Sequence, residues 1–459
     1  MAERLVVIGG DAGGMSAASQ ARRRRTRDDL EIVVFERGHY TSYSACGIPY
    51  WIGGQVDSMD KLISRDPSTF RDKYDIDVRM QHEAVAIDLD RREVVARDLA
   101  GGGEVRERFD QLVYAAGAVP KRPAWARVPA RGVFGVQTLD DGTALRAWLD
   151  QQPTPSRAVV VGGGYIGVEM AEALMGRDMA VTMIEQSPQP MNTVDPDMGA
   201  LVGDAMIGLG IDLRTGVNVT GLATDGDRVS GVETDGGPVP ADIVVLGTGV
   251  APNTRLAADA GLPIGPTGGV RVDLRMRVRG LTGIWAAGDC VESVHRLTGQ
   301  PVHIPLGTHA NKQGRVAGIN IGGGYATFPG VIGTAVTKVC GLEVGRTGLG
   351  EADVEAAGYD CVVAKAESTN CAGYLPGAAP MTIKLIAERG SGRLLGAQIV
   401  GRSEAAKRID VLAVALWNGM TVDEMTALDL GYAPPFSPVW DAVLIAARRT
   451  VEALAQDGR

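Results

Sequence analysis

Residues 158–169 read AVVVGGGYIGVE. A run of β-branched residues leads into a glycine turn, and the turn opens an apolar helix. That is the strand–turn–helix order of a dinucleotide-binding βαβ unit. With 62 glycines in 459 residues, a G-x-G-x-x-G spacing is expected about once by chance, so the flanking pattern carries the weight. A strand covers Ala158–Val161, the helix runs over Tyr165–Arg177, and a second strand covers Ala180–Ile184. Glu185 ends that strand, 18 residues after Gly167. Gly162, Gly164 and Gly167 let the backbone approach a pyrophosphate, and the helix start offers N–H groups to it. A carboxylate at position 185 accepts from adenine ribose hydroxyls and repels a 2′-phosphate, which favours NADH over NADPH.

The same order occurs at the N-terminus. A strand, Arg4–Ile8, meets Gly9-Gly10-Asp11-Ala12-Gly13-Gly14, then a helix to about Arg27 and a strand over Glu31–Phe35. Asp11 stands where the spacing calls for glycine. Glu36 ends the second strand, 22 residues beyond Gly14. Two such units, about 150 residues apart, predict two dinucleotide folds and an enzyme passing electrons from NADH to FAD; the motifs alone leave open which unit holds which. Thr282–Asp289 (TGIWAAGD) adds a buried strand ending in Gly288 and a carboxylate, Asp289, placed to face a long polar ligand. YAAGA at 114–118 and a Pro/Arg/Ala-rich stretch over Val119–Pro129 look like a crossover, and Ile243–Gly249 ends another strand. From Pro329 the texture changes: strand patterns at Val331–Val339 and Met381–Ile386 precede helix patterns at Ala405–Trp417 and Trp440–Leu454. The expectation is an α/β chain: two Rossmann-like dinucleotide-binding domains, for FAD and NAD(P), and a C-terminal α+β domain.

Composition narrows the function classes. A net charge of −9 and a pI near 5.3 argue against a nucleic-acid partner. No apolar run reaches the ~18 residues of a membrane span, and the first residues are too short an apolar run for a signal peptide. A cytoplasmic protein with no membrane partner is the expectation. Five scattered cysteines (46, 290, 340, 361 and 371) show neither a C-x-x-C pair nor a metal-like cluster, so no metal site is expected.

Cys46 lies ten residues after Glu36, in Ser44-Ala45-Cys46-Gly47-Ile48-Pro49-Tyr50. Chain length alone keeps it near the first nucleotide unit, and the residues after it look like a helix start, where a thiolate gains from the dipole. Dithiol flavin reductases carry a second cysteine five residues away; here those positions are Thr41 and Trp51. A single redox thiol has two useful oxidised forms, a mixed disulfide with a small thiol and a sulfenic acid.

These residues together resemble the single-cysteine branch of the pyridine nucleotide–disulfide oxidoreductases, which includes coenzyme A-disulfide reductases, NADH oxidases, NADH peroxidases and polysulfide reductases. The segments that carry the likeness are GGDAGG at 9–14, SACGIPYWIGG at 44–54, YAAGA at 114–118 and GGGYIGVE at 162–169. AAGD at 286–289, ANKQGR at 310–315, NCAGYLPGA at 370–378 and GYAPPFSP at 431–438 continue it. The resemblance implies an FAD domain in two parts, 1–117 and 251–328, an NAD(P) domain over 118–250 and a dimerisation domain over 329–459 that completes the active site of a second copy. It implies FAD on Gly9, Gly10, Ala12, Gly13, Gly14, Glu36, Arg37, Ser44, Ala116, Gly117, Gly288 and Asp289. NADH or NADPH is implied on Gly162, Gly164, Tyr165, Ile166, Gly167, Glu169, Glu185 and Gly249.

By position, Cys46 resembles the redox nucleophile, and Tyr374 and Tyr432 the paired tyrosines that protonate the leaving thiolate. No histidine follows His309, so a histidine acid in the C-terminal domain is absent and a tyrosine hydroxyl is the alternative. Ala12 replaces the histidine of the peroxidases, which lowers that reading. Ser16, Gln20, Arg23, Ser42, Lys73, Asn311 and Trp440 match substrate positions, with Arg22–Arg25 and Arg27 as a basic run for phosphates. Ala45, Tyr74 and Trp440 depart from the coenzyme A-binding pattern. The expected function is reduction of a low-molecular-weight disulfide, coenzyme A disulfide or another thiol's, by a homodimer. An NADH oxidase, a polysulfide or persulfide reductase, and a flavin redox sensor without turnover are the alternatives.

Overall fold

The computed structural model describes residues 2–151 and 156–457. The chain divides into two compact units. The first comprises Met1–Lys121, Val136–Gln151 and Gly249–Val331; the second comprises Arg122–Gly135, Gln152–Thr248 and Ile332–Arg459.

The first unit is built on a five-stranded parallel sheet. β1 (Glu3–Ile8) is central, followed by α1 (Ala12–Arg22) and β2 (Leu30–Phe35). The strands lie in the order Ile284–Ala286, Gln111–Tyr114, β1, β2, Ile76–Arg79. Leu5, Val6, Val7, Val34, Leu112 and Val113 are fully buried, each worth roughly 1.5–3 kcal/mol on transfer from water. Such near-continuous apolar strands belong to a parallel sheet covered on both faces. One cover is made by α1 and the helix Gly307–Ile321. These pack backbone to backbone: a Cβ on Gly314 would fall on the Gly13 carbonyl.

α1 is shorter than its sequence suggests. It stops at Arg22 rather than Arg27, because the Arg22 guanidinium turns back to donate to the carbonyls of Leu30 (2.7 Å), Tyr74 (3.0 Å), Arg25 and Asp75. Arg25 and Arg27 pair with Glu3 and Asp75. Much of the expected basic run is thus structural.

The second unit repeats the plan. β3 (Arg157–Val161), α2 (Tyr165–Met175) and β4 (Ala180–Glu185) sit in a parallel sheet ordered Asp212–Thr215, β4, β3, Ile243–Leu246, Val133–Gly135. The C-terminal part is an antiparallel sheet ordered Ala335–Val339, Leu342–Gly348, Leu394–Gly401, Pro380–Glu388, Cys361–Thr369, backed by helices Ala405–Trp417 and Ala442–Asp457. Among the described residues, no helix is long and apolar enough to cross a membrane.

Candidate active site

Register explains why residues distant in sequence meet in the first unit. Ile8 pairs with Phe35 and with Tyr114, and Tyr114 pairs with Ala286. The next residues, Gly9, Glu36, Ala115 and Ala287, therefore leave the sheet along one carboxyl edge, where open α/β sheets take their ligands. Gly9 adopts φ +103° and packs so closely on the Ala115 carbonyl that no Cβ fits. The Glu36 carboxylate accepts from Gly10 N–H and Gly38 N–H, both at 2.7 Å. Gly13 lies under the Ala287 carbonyl, which brings Gly288 and Asp289 over the start of α1. Gln313 accepts from Gly288 N–H at 2.8 Å, and Asn253 donates to the Ala116 carbonyl and to that of Gly117. Burial pushes the Asp289 carboxyl up, opposed by His303.

The second unit holds a parallel cradle. Glu185, 5% exposed, accepts from Gly163 N–H at 2.6 Å and Ser187 N–H at 2.7 Å. Gly162 sits at φ +100° against the Gly247 carbonyl, while open space lies over Gly164. Tyr165 and Ile166 start α2, and burial raises the Tyr165 phenol despite nearby Arg346. Burial also raises the Glu169 carboxyl, which accepts from Thr337 Oγ1 at 2.6 Å. Gly249 falls instead in the first unit, its carbonyl accepting from Lys121 N–H. Both cradles fit the pyrophosphate and ribose of a dinucleotide: a turn whose leading glycine, Gly9 or Gly162, has no room for a Cβ opens a helix, and a carboxylate ends or follows the neighbouring strand.

Cys46 is exposed, in a 3₁₀ turn over Ala45–Gly47, and no disulfide joins the described cysteines. The helix after it, Ile48–Ile52, has only five residues, so the macrodipole expected to favour its thiolate is slight. The other thiols are set apart from it by burial or a raised pKa: burial pushes Cys290 and Cys340 up to about 12 and raises Cys361, and Cys371 is buried. The segment before Cys46 is bolted to the first glycine turn. Thr41 Oγ1 and Ser42 N–H donate to the Gly10 carbonyl, and Tyr43 N–H donates to Asp11 Oδ1 at 3.3 Å. Ser44 and Arg37 are exposed, and Ser44 N–H donates to Leu62.

Ser16 donates to Asn311 Oδ1 at 2.8 Å, joining two of the expected substrate residues. Gln20 accepts from Arg24, and Arg23 and Lys73 are exposed. In the second unit Tyr374, Tyr432 and Trp440 are 76%, 51% and 50% exposed. Arg408, which sequence reading missed, ties their loops together: it donates to the carbonyls of Asn370 (2.8 Å) and Phe436 (2.7 Å) and pairs with Asp441 at 3.1 Å. Its signal was an arginine on the buried stripe of an apolar helix. Asp11, Gln313 and Asn253 were missed for the opposite reason, being ordinary polar residues whose partners lie far along the chain.

Residues 3–314 match the pyridine nucleotide-disulphide oxidoreductase family, and residues 334–443 match that family's dimerisation domain. The chain is 37% identical over 449 residues to the NAD(P)H coenzyme A polysulfide/persulfide reductase of Pyrococcus horikoshii, covering 98% of each chain. It is 29% identical over 444 residues to the coenzyme A disulfide reductase of Staphylococcus epidermidis, covering 96% of this chain and 98% of that one. Among solved structures, the NAD-dependent persulfide reductase from A. fulgidus superposes with a TM-score of 0.94 at 41% identity, over 99% of this chain and 84% of that one.

Proposed function

The chain belongs to the pyridine nucleotide-disulphide oxidoreductase family, and on that premise we propose that it reduces the sulfur–sulfur bond of a low-molecular-weight thiol derivative, coenzyme A disulfide or a related persulfide, through Cys46 alone. The observation that carries this is the thiol of Cys46, exposed as no other cysteine among the described residues is, on a segment hydrogen-bonded to the first glycine turn, with no second cysteine close in sequence. FAD held at the first cradle would supply the two electrons that sulfur needs, and NAD(P)H held at the second would be their source.

The residues divide the remaining work. Gly9–Gly14, Glu36 and Asp289 would hold one dinucleotide. Gly162–Gly167 and Glu185 hold the other, and Tyr165 and Glu169 shape its pocket. The Cys46 thiolate attacks one sulfur of the substrate, the S–S bond breaks, and one thiolate leaves; a mixed disulfide remains on Cys46. Two electrons then break that disulfide, releasing the second thiol and restoring the Cys46 thiolate. Tyr374 or Tyr432 of a second copy in a homodimer gives the leaving sulfur its proton. Ser16, Gln20, Arg23, Ser42, Lys73, Asn311 and Trp440 contact the thiol's carrier.

The test is Cys46→Ser. The variant should retain FAD and still bleach its flavin with NADH, while thiol release from coenzyme A disulfide falls at least ~1,000-fold, as for loss of a covalent nucleophile. Undiminished thiol release would refute the role of Cys46. Oxygen consumption in place of thiol release would make the protein an oxidase.

A further inference from the structure

Asp11 occupies the position in Gly9–Gly14 where close approach of a pyrophosphate ordinarily demands glycine. It is the N-cap residue of α1, yet its side chain makes no capping bond to that helix. Its Oδ1 reaches instead to the N–H of Tyr43, three residues before Cys46. The carboxyl thus bridges the two parts of the first site, the glycine turn and the redox segment. It does so in an acidic neighbourhood. Glu36, from the end of β2, and Asp289, after the strand Ile284–Ala286, both oppose its ionisation, and the phenol of Tyr43 faces it from the redox segment. His303 faces Asp289, whose carbonyl its ring nitrogen meets at 2.8 Å and whose carboxyl it draws downward.

An ionised carboxylate here would meet the phosphate charges of any dinucleotide delivered to the start of α1. A neutral carboxyl removes that repulsion and gains a donor hydrogen for a phosphate oxygen. We infer that Asp11 is a proton-coupled positioning residue, and that seating FAD on the first turn takes up one proton on its carboxyl. The inference rests on FAD occupying this turn. Withdrawal from water, with the added push of Glu36 and Asp289 against the Tyr43 and Ala12 amides, already lifts this carboxyl to about 7, so the proton exchanges close to neutral pH. The protein then holds its flavin more weakly as its surroundings become alkaline, with the loss located in a single side chain.

The experiment measures flavin retention by the full-length holoprotein. Serial dilution, followed by flavin fluorescence, gives an apparent Kd for FAD from about pH 6 to about pH 9. For the unaltered protein Kd should rise about tenfold per pH unit above about 7, the slope of one linked proton. Asp11→Asn, which keeps the shape and the acceptor for Tyr43, should flatten the profile and bind FAD more tightly at the alkaline end. Asp11→Ser, smaller and neutral, should also flatten it. An equal slope in the unaltered protein and both variants overturns the inference while leaving FAD at the first turn. A protein that holds no FAD at any pH overturns both.

Discussion

Glu36 and Glu185 do the same job in two places. Each closes a glycine turn by accepting from a turn N–H and from an N–H two residues beyond itself. The turn is therefore set before any nucleotide arrives, and less ordering is left to offset on binding. In the second unit, this carboxylate is proposed to repel a 2′-phosphate. Glu185→Ala should strand the buried Gly163 N–H and release the part-buried Ser187 N–H, which costs roughly 1–3 kcal/mol. KM for NADH should rise about tenfold or more, and the preference for NADH over NADPH should shrink. Initial rates with both nucleotides check this, and an unchanged ratio of kcat/KM would remove Glu185 from the specificity argument.

Among the elements, α1 and the helix Gly307–Ile321 carry the first site. Their contact leaves no room for side chains where Gly314 meets the Gly13 carbonyl and Gly318 meets that of Ala17. The close approach has a use beyond packing. It brings Gln313 onto the Gly288 N–H and Asn311 onto Ser16. Gly314→Ala should push the helices apart at the turn, with an overpacking cost of roughly 1–3 kcal/mol. FAD should then be released at lower temperature. Flavin fluorescence during heating reads this directly, and an unshifted release temperature would mean that the helices yield without disturbing the turn.

At the scale of a whole unit, a concentrated long-range tie lies in the second unit. Lys384, 2% exposed, lies on the strand Pro380–Glu388. Its ammonium pairs with Asp195 at 3.0 Å, with Asp197 at 2.7 Å and with Glu351. Asp195 and Asp197 flank Pro196 at the start of the helix Pro196–Leu209, so one buried cation joins the nucleotide-binding sheet's following helix to the antiparallel sheet. Burial works against the charge on Lys384, yet the three carboxylates hold its pKa above the usual lysine value. Burial likewise opposes the Asp197 carboxylate, and Lys384 and Lys365 hold it below the usual range. A depressed carboxylate stabilises the fold above its unfolded pKa, about 4, and that contribution is lost as pH falls through the folded value. Lys384→Met should destabilise the protein by up to about 3 kcal/mol at neutral pH, because buried Asp195 loses its counter-charge and the half-exposed Asp197 is left with Lys365 alone. The deficit should narrow in acid, as pH falls through the depressed range of Asp197 and its carboxylate no longer needs the cation. Calorimetric melting of both proteins at two pH values tests it; a pH-independent deficit would point to packing alone.

Short-range order was legible in the chain. The strand Arg4–Ile8, the strand Ala158–Val161 and the helix Ala405–Trp417 were read within a residue of their observed limits, because apolar periodicity and a glycine turn are local signals. The end of α1 was not legible, since it depends on carbonyls of Leu30, Tyr74 and Asp75 that Arg22 meets only after folding. Nor was the brevity of Ile48–Ile52, which made Cys46 look better served by a helix than it is.

By itself the sequence determined the α/β class, the paired glycine turns with their closing carboxylates, and the isolation of Cys46 from any second nearby thiol. Only the tertiary structure decided that Asp11 reaches the segment that carries Cys46, that Gln313 holds Gly288, and that Arg408 gathers the two tyrosine loops. The physical reason is range. Propensity and periodicity act over one or two turns of chain, whereas a hydrogen bond or an ion pair selects its partner by position in space, which exists only once the sheets have brought distant segments into register.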